Sequence, residues 1–307
     1  MIPKQSVLKL YKKRGETPLE CLNRFKLANP EYKDDKMTYA GRLDPLAEGI
    51  LLVLVGEECK NKDKYLGLDK EYEVTVLFGF ATDSFDVLGL VNSSPVCHPR
   101  ECGDPGILVR SIMSSFRIAH NWLARYCPFR NTDIFLLKNS SCSAQPASQV
   151  SGKGSISLAK LDGILKSFVG RFSQKYPPFS SKTVNGIPLF AHAKSGNLDP
   201  DEIPSKDVEI KNIELLKESS ISKSEFEKSV KESIALVSGD FRQKEILKSW
   251  ESALSRTVLD NFQTITIKVS CTSGTYMRSL ANAIGEKVGI PALALNIKRI
   301  RIGKDRI

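Results

Sequence analysis

The sequence predicts a mixed domain of strands and helices, α+β or α/β in class. Three observations carry that expectation. Glu71–Phe80 (EYEVTVLFGF) alternates so that Tyr72, Val74, Val76 and Phe78 share one face, the mark of a half-buried strand. Ile265, Ile267, Val269 and Cys271 alternate in the same way. Between and around these strands, apolar residues recur at helical spacing, and strands interleaved with helices indicate a mixed domain.

Each element has its own local reason. The Thr17-Pro18 pair is a helix start signal, Leu19 to Phe25 follows with helical spacing, and Asn29-Pro30 ends it. After a loop from Gly41 to Gly49, the run Ile50–Val55 (ILLVLV) is too short for an independent helix and reads as a buried strand. Residues 92–157 read as an insertion. They hold Cys97, Cys102, Cys127 and Cys142, a Ser/Gln/Gly-rich tail, and an amphipathic stretch from Ile112 to Tyr126. Leu158, Leu161, Ile164, Leu165 and Phe168 then sit at helical spacing, with Gly170 just past the end. A charged stretch follows, with a helical insertion expected over 217–260 from the patterns Lys223–Leu236 and Lys244–Leu254. The strand ending at Cys271 leads through Ser273-Gly274-Thr275 into a helix with Met277, Leu280, Ala281 and Ile284 on one face.

Composition narrows the function. Over 307 residues, 41% are hydrophobic and 26% charged, which excludes collagen-like and wholly disordered chains. Lys plus Arg number 45 against 35 Asp plus Glu, a net charge of +10 that suits a polyanionic partner. The longest apolar run is far below the ~20 residues of a membrane span, and no export signal follows the start, so a cytoplasmic protein is expected. Seven scattered cysteines read as reduced thiols. The spacing of Cys97, His98, Cys102, Cys127 and Cys142 forms no paired zinc knuckles, so no metal site is expected.

Four segments concentrate chemistry. In YAGRLDPLAEG, Asp44 stands before a proline in a loop bracketed by glycines. The proline biases it away from helix, and an ordinary turn aspartate is the plain reading. KEYEV puts Tyr72 at a strand entrance, where it could cap the core or close over a planar base. In the following GFATDSFDVLG, Asp83 and Asp86 are too few ligands for a cation site, and an Asx-rich turn accounts for them. QKYPPFSSK with GIPLFAHAKSG is a stiff, basic, aromatic strip. In CTSGTYMRSL, Arg278 falls in the first turn of a helix, where the macrodipole disfavours a cation and calls for a compensating anion.

Taken together and in this order, GRLDPLAEG, KEYEV with GFATDSFDVLG, the QKYPPFSS strip with GIPLFAHAKSG, and CTSGTYMRSLANAIG resemble the TruB family of tRNA pseudouridine synthases. The resemblance covers residues near 8–91, 158–216 and 262–302. It implies an α+β pseudouridine synthase-like fold, a mixed, mainly antiparallel sheet flanked by helices. One catalytic domain would then span 1–307, interrupted at 92–157 and 217–260. It also implies isomerisation of a uridine in the T-loop of tRNA, with Asp44 as catalytic carboxylate acting on a flipped-out nucleotide. Tyr72 matches a tyrosine that stacks on the target base, and Arg278 an arginine paired with the aspartate. Tyr276 matches a second base-contacting tyrosine and Ile297 an apolar residue of the pocket.

There are departures. Tyr39 stands where many relatives have a histidine in the flipping segment. Arg42 replaces a small residue, Phe179 stands where tyrosine is common, and Tyr11–Pro18 echoes the N-terminal motif loosely. The end of the chain shortly after Arg301 carries the expectation that a C-terminal RNA-binding extension is absent. The expected partner is the T-arm of tRNA. No cofactor is needed for an isomerisation, and a monomer is the default. The competing readings are a guide-RNA-dependent synthase subunit and a non-catalytic RNA-binding or RNA-folding protein on the same scaffold.

Overall fold

The computed structural model describes residues 5–93, 158–196, 198–199 and 201–306. Residues 94–157 of the insertion, with its cysteines and the stretch Ile112–Tyr126, lie outside the described residues. In chain order the strands are β1 (Val7–Lys12), β2 (Met37–Ala40), β3 (Ala47–Val55), β4 (Lys70–Phe78), β5 (Ala81–Thr82), β6 (Val91–Ser93) and β7 (Gly170–Lys175). They continue with β8 (Thr183–Val184), β9 (Ile187–Pro188), β10 (Ser205–Ser222), β11 (Asn261–Cys271), β12 (Ala292–Ile302) and β13 (Asp305–Arg306). The α-helices are α1 (Pro18–Ala28), α2 (Lys62–Leu66), α3 (Leu158–Lys166), α4 (Leu189–Lys194), α5 (Lys223–Leu236), α6 (Gln243–Arg256) and α7 (Met277–Val288).

The two alternating segments of the sequence, β4 and β11, are neighbours at the centre of a nine-stranded sheet of order β1-β3-β12-β4-β11-β10-β7, with β2 paired to β3 and β13 to β12. Every pairing in it is antiparallel except β3 with β12. The fold is therefore α+β with a mixed, mainly antiparallel sheet, as expected. The parallel pairing sets Gly49 opposite Arg299. Gly49 has φ +113°, and a Cβ there would lie 2.2 Å from the Arg299 carbonyl oxygen, so the strand can come this close only with glycine.

Helices cover both faces. Tyr72, Val74, Val76 and Phe78 join Ile265, Ile267 and Val269 in a core closed by Leu161 and Leu165 of α3 and by Leu280, Ala281 and Ile284 of α7. On the opposite face Leu77 and Leu293 meet Phe226 and Val230 of α5 and Ile246 and Trp250 of α6. There the ring of Phe80 sits 5.0–5.6 Å from those of Phe262, Trp250 and Phe226, and Trp250 Nε1 donates to the Val87 carbonyl at 3.0 Å. The two helical patterns in 217–260 are thus helices, but they form a core layer, and residues 217–222 are strand, the end of β10. At the N-terminal side, α1 opens with a capping box between Thr17 and Glu20 and packs Cys21 and Leu22 against Leu51 and Val53. No helix among the described residues is long and apolar enough to cross a membrane.

Candidate active site

One cavity of about 620 Å³ opens at the β3–β12–β4 side of the sheet, and all six residues singled out in the sequence line it: Tyr39, Asp44, Tyr72, Tyr276, Arg278 and Ile297. The loop carrying Asp44 is fixed from beneath. Lys12, fully buried on β1, donates from Nζ to the carbonyls of Lys13 (3.1 Å), Pro45 (3.0 Å) and Ala47 (2.6 Å). Arg299, 1% exposed on β12, donates to the carbonyls of Ile50 (2.7 Å), Gly41 (3.1 Å) and Arg42 (3.3 Å). Two buried cations therefore grip the loop backbone on either side of Asp44 and leave its carboxylate free.

That carboxylate meets Arg278. Nε donates to Oδ2 at 2.7 Å and Nη2 to Oδ1 at 3.0 Å, a bidentate fork. The Arg278 side chain is 4% exposed and that of Asp44 35%, so the cation is a fixed support and the carboxylate faces the cavity. The anion called for by a cation in the first turn of α7 is this one. Arg278 also donates to the carbonyls of Ser84 (2.8 Å) and Phe179 (3.1 Å). Asp86 lies 3.7 Å from its Nε. Burial opposes charge on Arg278, but Asp44 and Asp86 outweigh it and hold its pKa above the usual arginine value.

The aromatic residues surround this pair. Tyr72 lies directly across the β4–β12 ladder from Arg299 and is 7% exposed. Its burial pushes the phenol pKa up, partly countered by the Arg299 guanidinium. Tyr276 caps the start of α7 with its backbone tied to the Gln174 amide at 2.8 and 3.1 Å. Its ring stands edge-on to Tyr176, 5.4 Å away. Burial first, then the Asp44 charge, pushes the Tyr276 phenol up to about 12. Tyr39 stands on the rim with the Lys62 ammonium 5.7 Å from its ring. Ile297 closes the apolar floor from β12.

Several site residues were not singled out in the sequence. The Asx turn that the sequence predicts at Asp86 does form, with its Oδ1 accepting from Leu88 N (2.9 Å) and Ser84 Oγ (2.7 Å). Asp86 is nonetheless buried beside Arg278, and burial raises its pKa. Asp83 is engaged by Arg242 at 2.9 Å, so neither aspartate is free to build a cation site. Lys12, Lys70 and Arg299 lie on strands with nothing local to mark them. Lys70 is 4% exposed, donates to the Leu66 (2.9 Å) and Leu68 carbonyls, and is pushed by burial to about 8. Ser180 lines the cavity, and its buried Oγ has no hydrogen-bond partner among the described residues. Among those residues no cluster of three or more His, Cys, Asp or Glu is placed to hold a metal ion.

The sheet thus holds an aspartate–arginine pair in an aromatic cavity beside its parallel seam. The family model described as TruB family pseudouridylate synthase (N terminal domain) matches residues 29–103 and 136–234, over half of the chain, and the chain belongs to that family. The unmatched residues 104–135 fall within the 92–157 insertion. Curated relatives include tRNA pseudouridine synthase B of Ligilactobacillus salivarius, 24% identical over 98% of this chain and 68% of its own length. The protein of the same name from Staphylococcus aureus (strain MRSA252) is 26% identical over 97% of this chain and 66% of its own. The chain thus spans about two thirds of the length of these relatives. Among solved structures, a Cbf5-Nop10-Gar1 complex has a chain with a TM-score of 0.49 and 15% identity, covering 98% of this chain and 49% of that one.

Proposed function

We propose that this chain converts a uridine in the T-loop of tRNA to pseudouridine, with Asp44 as the catalytic carboxylate. The observation that carries the reading is the bidentate Asp44–Arg278 pair, with its carboxylate turned to an aromatic cavity and its guanidinium locked in the core. Family membership and the names of the curated relatives support it. In the reaction the C1′–N1 bond breaks, the uracil turns, and C5 bonds to C1′. C5 loses a proton and N1 gains one, so the formula is unchanged. Asp44 serves at C1′, as nucleophile or as counter-charge to the developing cation. The glycosidic bond is unreachable in a stacked loop, so the nucleotide must be extruded into the cavity. Tyr72 and Tyr276 hold the extruded base, Ile297 closes the floor under it, and Tyr39 occupies the rim where the base leaves its stack. The surplus of ten positive charges grips phosphates without regard to sequence. In this reading one catalytic domain, interrupted at 92–157 and 217–260, acts on tRNA as a monomer in the cytoplasm and without a cofactor.

The test is a pseudouridine map of unmodified tRNA incubated with the wild-type chain and with Asp44→Asn. One product in the T-loop, formed without guide RNA and absent with Asp44→Asn, is the expected outcome. Tight tRNA binding with no product overturns the stand-alone enzyme and leaves the guide-dependent or non-catalytic readings.

A further inference from the structure

Among the arginines that line the cavity, Arg242 has a guanidinium that neither the reaction nor the Asp44 loop calls for. Arg242 stands in the turn between α5 and α6, at the N-cap of α6, with φ +59°, a left-handed conformation costly for a residue with a Cβ. The turn is braced from within: Gln243 Nε2 donates to the carbonyls of Val237 (3.1 Å) and Gly239 (2.6 Å), and Phe241 N donates to Gln243 Oε1 (3.1 Å). So held, Arg242 points its side chain, 19% exposed, at two other segments. Nη1 and Nη2 donate to Asp83 Oδ2 (2.9 Å) and Oδ1 (3.3 Å). Its Cζ also lies 4.1 Å from the centre of the Phe179 ring, stacking distance for a guanidinium on an aromatic face.

These are the two segments that Arg278 ties together from below, through the carbonyls of Ser84 and Phe179. One guanidinium therefore holds residues 83 and 179 by their side chains, and the other holds 84 and 179 by their backbones. The second also carries Asp44. A further tie runs in parallel, from Lys194 Nζ to the Asp240 carbonyl and to Asp240 Oδ2, both at 2.8 Å. The wall segment 176–196 contains only two two-residue strands and the six-residue α4, so little regular structure fixes it otherwise. Without Arg242, Arg278 alone would bear the junction of the two segments, and any drift of Phe179 would be passed to the fork on Asp44.

We propose that Arg242 is a positioning residue for the Asp44–Arg278 pair, acting by clamping Phe179 to the Asp83–Ser84 loop. The inference rests on the proposed function only where activity is read; its structural half stands apart. Both halves are tested with full-length wild type, Arg242→Ala, Arg242→Lys and, as a control on the outer face of α5, Lys228→Ala. In hydrogen-exchange mass spectrometry, Arg242→Ala is expected to raise exchange at least tenfold in 79–90 and 176–196. The bodies of α5 and α6 should keep wild-type protection. Arg242→Lys, which keeps the charge but loses the planar fork, should recover part of that protection, and Lys228→Ala should match wild type. In single-turnover assays with saturating tRNA, Arg242→Ala should slow product formation about 10- to 100-fold while the Kd for tRNA changes less than threefold. Unchanged exchange in both segments overturns the proposal whatever the activity. Exchange raised throughout α5 and α6, or a rate loss explained by Kd alone, overturns it equally. If wild type forms no product on any RNA, the functional reading fails while the exchange result still decides the clamp.

Discussion

Replacing Lys12 with Met should change stability in a way that depends on pH, and the size follows from where Lys12 lies. Its ammonium is fully buried, and burial lowers its pKa from 10.5 to about 8. The unfolded chain therefore holds a proton on this lysine between pH 8 and 10.5 where the folded chain does not, and stability rises with pH across that window. Below pH 8 both states are charged, and the folded state carries the whole desolvation cost, about 3 kcal/mol for a shift of this size. Methionine removes that cost and also the donor. The Pro45 and Lys13 carbonyls keep the Gly15 and Glu16 N–H groups as partners. The loss is then mainly the Ala47 carbonyl, about 1–3 kcal/mol. The two effects nearly cancel at pH 7, so Lys12→Met is expected to match wild type there and to fall about 3 kcal/mol below it by pH 10.5. The assay is urea unfolding of both proteins under reducing conditions at pH 7, 8, 9 and 10, extrapolated to water. Lys70, Cys271 and Tyr276 also have shifted pKa values, but they titrate in both proteins and drop out of the difference. A difference that stays flat to within about 0.5 kcal/mol over this range would refute the buried ammonium beneath the Asp44 loop.

Other perturbations separate support from chemistry. Arg278→Met strands the buried Asp86 carboxylate and should cost about 3–5 kcal/mol in urea unfolding at pH 7. Because burial already raises the Asp86 pKa, that deficit should shrink as pH falls and the carboxylate takes a proton. Gly49→Ala forces a Cβ to 2.2 Å from the Arg299 carbonyl oxygen at φ +113°, and a loss of about 3 kcal/mol or more is expected in thermal unfolding. Ser180→Ala removes a hydroxyl without a partner among the described residues. It should leave stability of the free protein within about 0.5 kcal/mol, and a larger loss would mean that the hydroxyl is bonded in solution.

The strands that were legible in the sequence are those whose period survives intact. β4 and β11 pair residue for residue from Lys70 to Leu77 without a slip, so Tyr72, Val74 and Val76 stay in phase and the pattern can be read directly. β10 and β12 could not be read this way. The register of β10 shifts between Ile210 and Asn212 and again between Leu215 and Lys217, and that of β12 between Ala294 and Asn296 and between Arg299 and Arg301. Each shift inverts the inward face, so no single alternation runs through either strand, and β10 reads only as part of a charged stretch. Five of the six residues of the candidate site lie in short motifs, and Ile297, outside all of them, follows only from the resemblance of the chain to the family. Lys12, Asp86, Arg242 and Arg299 do not stand out, since each is a polar residue whose burial is decided by chain far away in sequence. Only Arg242 had a local signal, the Ser238-Gly239-Asp240 turn chemistry just before it.

The buried charges divide into two kinds, and the division accounts for an exposed carboxylate in an otherwise closed core. Among the described residues, Lys12, Lys70 and Arg299 form no ion pair and spend their donors on backbone carbonyls. Had any of them paired with Asp44, the carboxylate would be drawn down into the sheet. Of the buried cations among the described residues, Arg278 alone takes a carboxylate, and it does so from a guanidinium that two carbonyls have already fixed. The cations that carry loops and the cation that holds the reactive group are therefore different residues. Variants of the first set are expected to act through stability and its pH dependence, variants of Phe179 and Arg242 through the rate of reaction at constant fold, and variants of Arg278, which also strand Asp86, through both.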